Sequence, residues 1–193
     1  GFLNRACDLA AMLMDGGYRP CGRPFVQHLF GTAGVLARYD FSIDVVLEGL
    51  LHAAYTHRRF PPGAIQKALA DIHANVELRV RDNTQRRGLP RGEDPLRTVP
   101  RDAEVMAIEA ANEIDMRLAR EYDHSGRPDE VDATVAARLA AVLEVVGVPG
   151  MASTLRSAIN TRQPVAPDLQ TRVHVSFRFG PGNQRVTMAS PPL

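Results

Sequence analysis

Three short segments carry residue types that can do chemistry. Arg23-Pro24-Phe25-Val26-Gln27-His28 places an imidazole one turn into a helical stretch. Gly49-Leu50-Leu51-His52-Ala53-Ala54-Tyr55 places a second imidazole beside two leucines, where full solvation is not expected. Ile108-Glu109-Ala110-Ala111-Asn112-Glu113 puts an amide inside a further helical pattern. Imidazole gains and loses a proton near neutral pH without a cofactor, so His28 and His52 are candidates for general acid–base work. Tyr55 lies three residues past His52 and could orient a ligand or donate a proton. Asn112 could hold a carbonyl or stabilise an oxyanion. His28, His52, Tyr55 and Asn112 form the expected catalytic set, with Arg23, Glu48, His57, Glu109 and Asp115 as expected substrate-binding residues. The bland alternative is that the two histidines are core polar groups satisfied by backbone or water.

Taken in order, a histidine, a Leu-Leu-His turn and a polar residue in a later helix resemble the HD superfamily. The similar branch is the (p)ppGpp-hydrolase-like one, with related small HD-like proteins that lack the Asp after the second His. The resemblance spans about residues 2–122 and implies an all-α fold. It also implies a divalent metal held by His, His-Asp and a later Asp, often for phosphoester hydrolysis. Carried onto this chain, the histidines fall on His28 and His52, the Asp of the pair on Ala53, and the later Asp on Asn112. An acidic pair expected soon afterwards reads Tyr55-Thr56-His57. Hard divalent ions favour carboxylate oxygens, and a catalytic zinc site needs three good ligands. Two imidazoles and an amide therefore disfavour ordinary metal hydrolysis, unless Asp115 or Glu109 reaches in as a substitute. No cofactor is expected; were a metal held, it would be Mn, Fe or Zn at His28 and His52.

Helical periodicity dominates the elements that must position these residues. Helices are expected over 2–14, 25–39, 43–59, 63–84, 102–122 and 129–147, with a short one near 151–160. Ser42 is the expected N-cap of the third, whose apolar stripe is Ile43, Val46, Leu47, Leu50, Leu51 and Ala54. His73 falls in the middle of the fourth, on its surface. Between Arg79 and Arg101 lie seven arginines against three acids. Arg23 and that stretch invite a phosphate reading, since guanidinium forks match phosphate geometry, although a solvated loop explains the stretch as well. Residues 173–189 alternate and turn at Gly180-Pro181-Gly182-Asn183, the pattern of a β-hairpin. The expected organisation is an HD-domain-like helical bundle over 1–165, then a C-terminal extension over 166–193 with a short hairpin that could pair two copies in a homodimer.

Composition narrows the classes. The 193 residues are 45% apolar, enough for one core. A net charge of +1 and the lack of Trp offer neither a field nor a stacking platform for nucleic acid. No apolar run reaches membrane-spanning length and no signal peptide is visible. Two cysteines, Cys7 and Cys21, make no disulfide framework, with a buried structural thiol expected at Cys7, so a cytoplasmic setting is expected. The reading is a small-molecule enzyme using His28 and His52 for elimination, isomerisation, cyclisation or hydrolysis. The rivals are a non-catalytic ligand- or partner-binding module and a metal-dependent phosphohydrolase with substituted ligands.

Overall fold

A computed structural model describes residues 1–56, 60–87, 103–121 and 129–160. The expected hairpin and C-terminal extension, residues 88–102 and 122–128, and His57 lie outside the described residues. Within them the chain is all-α. The helices are α1 (Phe2–Leu13), α2 (Phe25–Arg38), α3 (Ile43–Leu51), α4 (Pro62–Ile72), α5 (Ala74–Arg87), α6 (Ala103–Leu118), α7 (Asp129–Val145) and α8 (Pro149–Asn160). A single 3-10 turn over Ala54–Thr56 follows α3.

The helices bury two apolar clusters. The first joins Leu13, Leu29, Leu50, Leu51, Leu69 and Val76 from α1 to α5. The second joins Leu36, Val45, Ile108, Ile114, Leu143 and Leu155 from α2, α3, α6, α7 and α8. Each buried leucine or isoleucine contributes about 1.5–3 kcal/mol. Helices α2 and α3 serve both clusters and form their shared wall. Gly49 lets the two approach closely, because a Cβ there would lie 2.3 Å from Leu36 Cδ1.

Three expectations about the elements need correction. The third helix ends at Leu51, not near residue 59. His52 Nδ1 is 2.7 Å from the Gly49 carbonyl, the acceptor that the Ala53 N–H would need to continue the helix. The chain tightens instead into the 3-10 turn, with Thr56 Oγ1 donating to the Ala53 carbonyl at 2.7 Å. Ser42 holds the N-cap position but makes no side-chain cap bond, and Ile43 is exposed while Val45 takes the buried place. The fourth element is two helices, broken at an extended His73. His73 caps α5, its carbonyl accepting from Val76 and Glu77. The apolar stripe Ile65, Leu69, Ile72, Val76 and Val80 runs unbroken across that break, so periodicity alone reads one helix. The His73 side chain is 35% exposed at that break, with the Phe2 ring at its edge.

Candidate functional site

The site starts from a tight loop between α1 and α2. Tyr18 and Pro24 form an antiparallel bridge, the Arg19 N–H donates to the Arg23 carbonyl, and Gly22 turns the chain at φ 82°. A left-handed residue there favours glycine. The loop sets the Arg19 and Arg23 side chains against the end of α6. Arg23 grips Asp115 with both arms: Nη1 donates to Oδ2 at 2.7 Å and Nη2 to Oδ1 at 3.0 Å. Nη2 also donates to the Gln27 carbonyl at 2.8 Å. Arg19 donates from Nε to Glu121 Oε2 at 2.7 Å and lies over the Phe25 ring. Bidentate, part-buried pairs of this kind are stronger than neutral hydrogen bonds and fix direction.

His28 sits one turn into α2, its side chain 1% exposed. Its Nδ1 is 2.7 Å from Asp115 Oδ2. Asp115 already accepts from two guanidinium arms, so the His28 ring nitrogen is the donor in this bond. Across from it lies His52, also 1% exposed, with ring centroids 5.3 Å apart and planes at 89°. The Gly49 carbonyl can only accept, so His52 Nδ1 also carries a proton. Both imidazoles thus direct an Nδ1 proton at an oxygen acceptor. The edge of the Phe25 ring closes against His28.

Asp115 reaches this position because residue 31 has no side chain. A Cβ on Gly31 would lie 1.7 Å from Asp115 Oδ1. Gly31 follows His28 by three residues, on the same face of α2. The α2–α6 contact is thus built around the absence of a side chain.

The structure brings His28, His52, Arg23 and Asp115 together. Asn112 is half-buried one turn before Asp115; the carboxylate that reaches His28 is Asp115. Tyr55 faces elsewhere: its hydroxyl donates to the buried Glu77 at 2.7 Å. Burial first, then Glu77, pushes the phenol well above its ordinary range. Glu48 is buried and accepts from Arg79 Nε at 2.7 Å, while Arg79 also binds Glu104, tying α3 to α5 and α6. Burial raises the Glu48 carboxyl above the usual carboxylate range, against the pull of Arg79. Glu109 is half-buried on α6. Of the arginines in the phosphate reading, Arg23 and Arg79 are both committed to carboxylates.

Arg19, Glu121 and Gly31 were not among the expected site residues. A signal existed for Asp115: it follows Ile108 by seven and Ala111 by four, on an otherwise apolar face of α6. A carboxylate at such a position must have a buried partner.

The HD resemblance implies a divalent metal, and the donors present do not fit one. One ligand-type atom each from His28, Asp115 and Glu121 lies within 4.8 Å of the others. Yet Asp115 spends both oxygens on Arg23 and His28, and Glu121 is paired with Arg19. The charge of the two carboxylates is balanced by two guanidiniums, which do not deprotonate in proteins. Ala53, buried at the position of the paired Asp, supplies no oxygen ligand from its side chain. No protein-family model matches the chain, and no curated protein or solved structure is significantly similar to it. Among the described residues, no helix is long and apolar enough to cross a membrane.

Proposed function

We propose that this chain is a metal-independent acid–base enzyme of small-molecule metabolism on an HD-like helical scaffold. The observation that carries the reading is the His28–Asp115 bond of 2.7 Å with the His52 ring 5.3 Å away and perpendicular. A carboxylate behind Nδ1 fixes the tautomer and stabilises the imidazolium that forms when Nε2 takes a proton. His28 is the base. His52, whose Nδ1 donates to the Gly49 carbonyl, acts in its imidazolium form and returns the Nε2 proton to the leaving or rearranging atom. Two groups of one type with unlike backing are suited to opposite roles in one step. Elimination, isomerisation, cyclisation and hydrolysis can each use such a pair. Asp115 and Arg23 are positioning residues.

The test is a panel of phosphoesters, nucleotides and hydroxy acids assayed in excess chelator. Turnover should persist there and fall on the order of 10²–10⁴-fold in His28→Gln and in His52→Gln. Activity that disappears with chelator and returns with Mn²⁺, Fe²⁺ or Zn²⁺ would favour the metal-dependent phosphohydrolase instead. Full activity in both histidine variants would leave the pair a structural one.

A further inference from the structure

The cluster that fails to fit a metal has most of what a metal needs. His28, Asp115 and Glu121 bring one imidazole and two carboxylates, all buried, with ligand atoms within 4.8 Å of one another. That donor set, one nitrogen and two carboxylate oxygens, suits Zn²⁺, Co²⁺ or Mn²⁺. Glu121 carries a further sign. Its Oε1 is buried and, among the described residues, has no hydrogen-bond donor. Arg23 Nη1 lies 3.7 Å from it, too long for a hydrogen bond. A buried carboxylate oxygen without a donor is costly and needs an electrostatic reason to persist.

We propose that the Arg23 guanidinium plugs a latent divalent-metal site formed by His28, Asp115 and Glu121. Arg23 lies against both carboxylates at once, 2.7 Å from Asp115 Oδ2 and 3.7 Å from Glu121 Oε1. It meets their charge from the place a shared cation would take. A guanidinium stays protonated at any working pH, so it is not displaced by mass action the way a water or a neutral imidazole would be. Its delocalised charge and planar fork also hold Asp115 flat against His28, which a spherical ion would not do. The Nδ1 proton of His28, directed at Asp115, occupies a second coordination position. This arrangement keeps the histidine available as a base, whereas a bound ion would consume its lone pair. The inference concerns the same residues as the proposed activity but makes no use of turnover.

Cobalt(II) is the probe, because its visible spectrum reports coordination directly. Wild-type protein, apo and chelator-treated, should bind Co²⁺ no more tightly than about 1 mM at this site. Arg23→Gln keeps a polar side chain but removes the charge. It should bind one equivalent at least about 100-fold more tightly, because a unit positive charge beside a divalent ion is strongly repulsive. The gain should vanish in Arg23→Gln/Glu121→Gln, and Arg23→Lys should bind no better than wild type. Circular dichroism establishes that each variant is folded. Arg19→Gln provides a test that does not depend on the stability of Arg23→Gln: it frees Glu121 Oε2 but leaves Arg23 in place, so it should also fail to bind. Tight binding by wild type that is lost in Glu121→Gln would overturn the proposal, as would tight binding by Arg19→Gln. So would a folded Arg23→Gln with wild-type affinity. Either of the first two results leaves the acid–base reading standing if turnover survives chelation.

Discussion

Replacing Gly31 with alanine sets helix propensity against packing, and the two predict opposite signs. Gly31 lies in the interior of α2, where alanine is better than glycine by about 1 kcal/mol. A methyl group there would lie 1.7 Å from Asp115 Oδ1, 2.5 Å from Asp115 Cγ and 2.9 Å from Arg23 Nη2. Ordinary carbon–oxygen contact needs about twice the shortest of these distances. Two routes relieve the overlap. The Asp115 carboxylate can swing away, breaking its bonds to Arg23 and His28; losing a buried ion pair costs roughly 3–5 kcal/mol. Alternatively α2 and α6 can part, at an overpacking cost of about 1–3 kcal/mol. The cheaper route governs; an overlap as deep as 1.7 Å puts its cost in the upper part of that range, about 2–3 kcal/mol, so the net loss after the propensity gain is about 1–2 kcal/mol. At this chain length that lowers Tm by roughly 2–8 °C. Urea unfolding measures the free energy directly. Gly63→Ala in α4 is the control, since nothing lies within 4 Å of its added Cβ, and it should be neutral or slightly stabilising. In an Asp115→Ala background the cost of Gly31→Ala should vanish or turn into a small gain, because the two closest obstructing atoms are gone and the Arg23 side chain, freed from Asp115, can move aside. A Gly31→Ala protein as stable as wild type would refute the packing of Asp115 against α2, and with it the geometry on which the His28 role depends.

Other perturbations read other parts of the site. Arg79→Met leaves Glu48 buried without its cation and should cost about 2 kcal/mol at pH 7, toward the low end because Arg79 is part-exposed. The sign with pH is fixed: an acid whose folded pKa is raised, as at Glu48, loses stability as pH rises from the ordinary carboxylate range through that raised value. Arg79→Met removes a lowering influence, so the deficit in urea titrations should narrow on acidification toward pH 5; a deficit independent of pH would count against it. Nitrogen-15 shifts of the imidazoles should place the proton on Nδ1 in both His28 and His52, and Asp115→Ala should release only His28 from that tautomer. Burial and the neighbouring Asp8 push the Cys7 thiol up to about 11, so a thiol reagent at pH 8 should label Cys21 and leave Cys7 unreacted until the protein unfolds.

The all-α class was legible because apolar residues recur with helical period through the whole described part of the chain. The histidine pair was legible for a different reason: His28 and His52 each interrupt a stretch whose neighbours are apolar, and a polar group so placed must have a partner. The third helix was misread because its end is set by a side chain. Ala53 and Ala54 favour helix, and nothing in their types shows that the His52 ring takes the Gly49 carbonyl. The break at His73 was illegible for the opposite reason, since no glycine or proline marks it and the apolar stripe continues on both sides. Arg19 and Glu121 are 102 residues apart, and no local spacing links such a pair.

Asp115 changes how the missing carboxylates are understood. Counted by position against the HD pattern, the chain has Ala53 and Asn112 where acids are expected, and reads as a metal site losing its negative charge. In space, two carboxylates remain beside His28, at Asp115 and Glu121, and two arginines have come with them. Beside His28, negative charge is thus present and is met by guanidinium. The difference is chemical. Losing acids alone would leave two histidines with no reason to stay buried, and each would tend to be replaced by an apolar residue of similar volume. Keeping the acids and neutralising them with fixed cations preserves the one interaction that makes His28 useful, a carboxylate on Nδ1, and leaves Nε2 basic. A Phe25 edge on one side and the His52 ring on another then limit where a reacting atom can approach. On the proposed reading the arrangement is a proton-transfer site, and its most exposed commitment is Arg23, whose removal should admit a divalent ion.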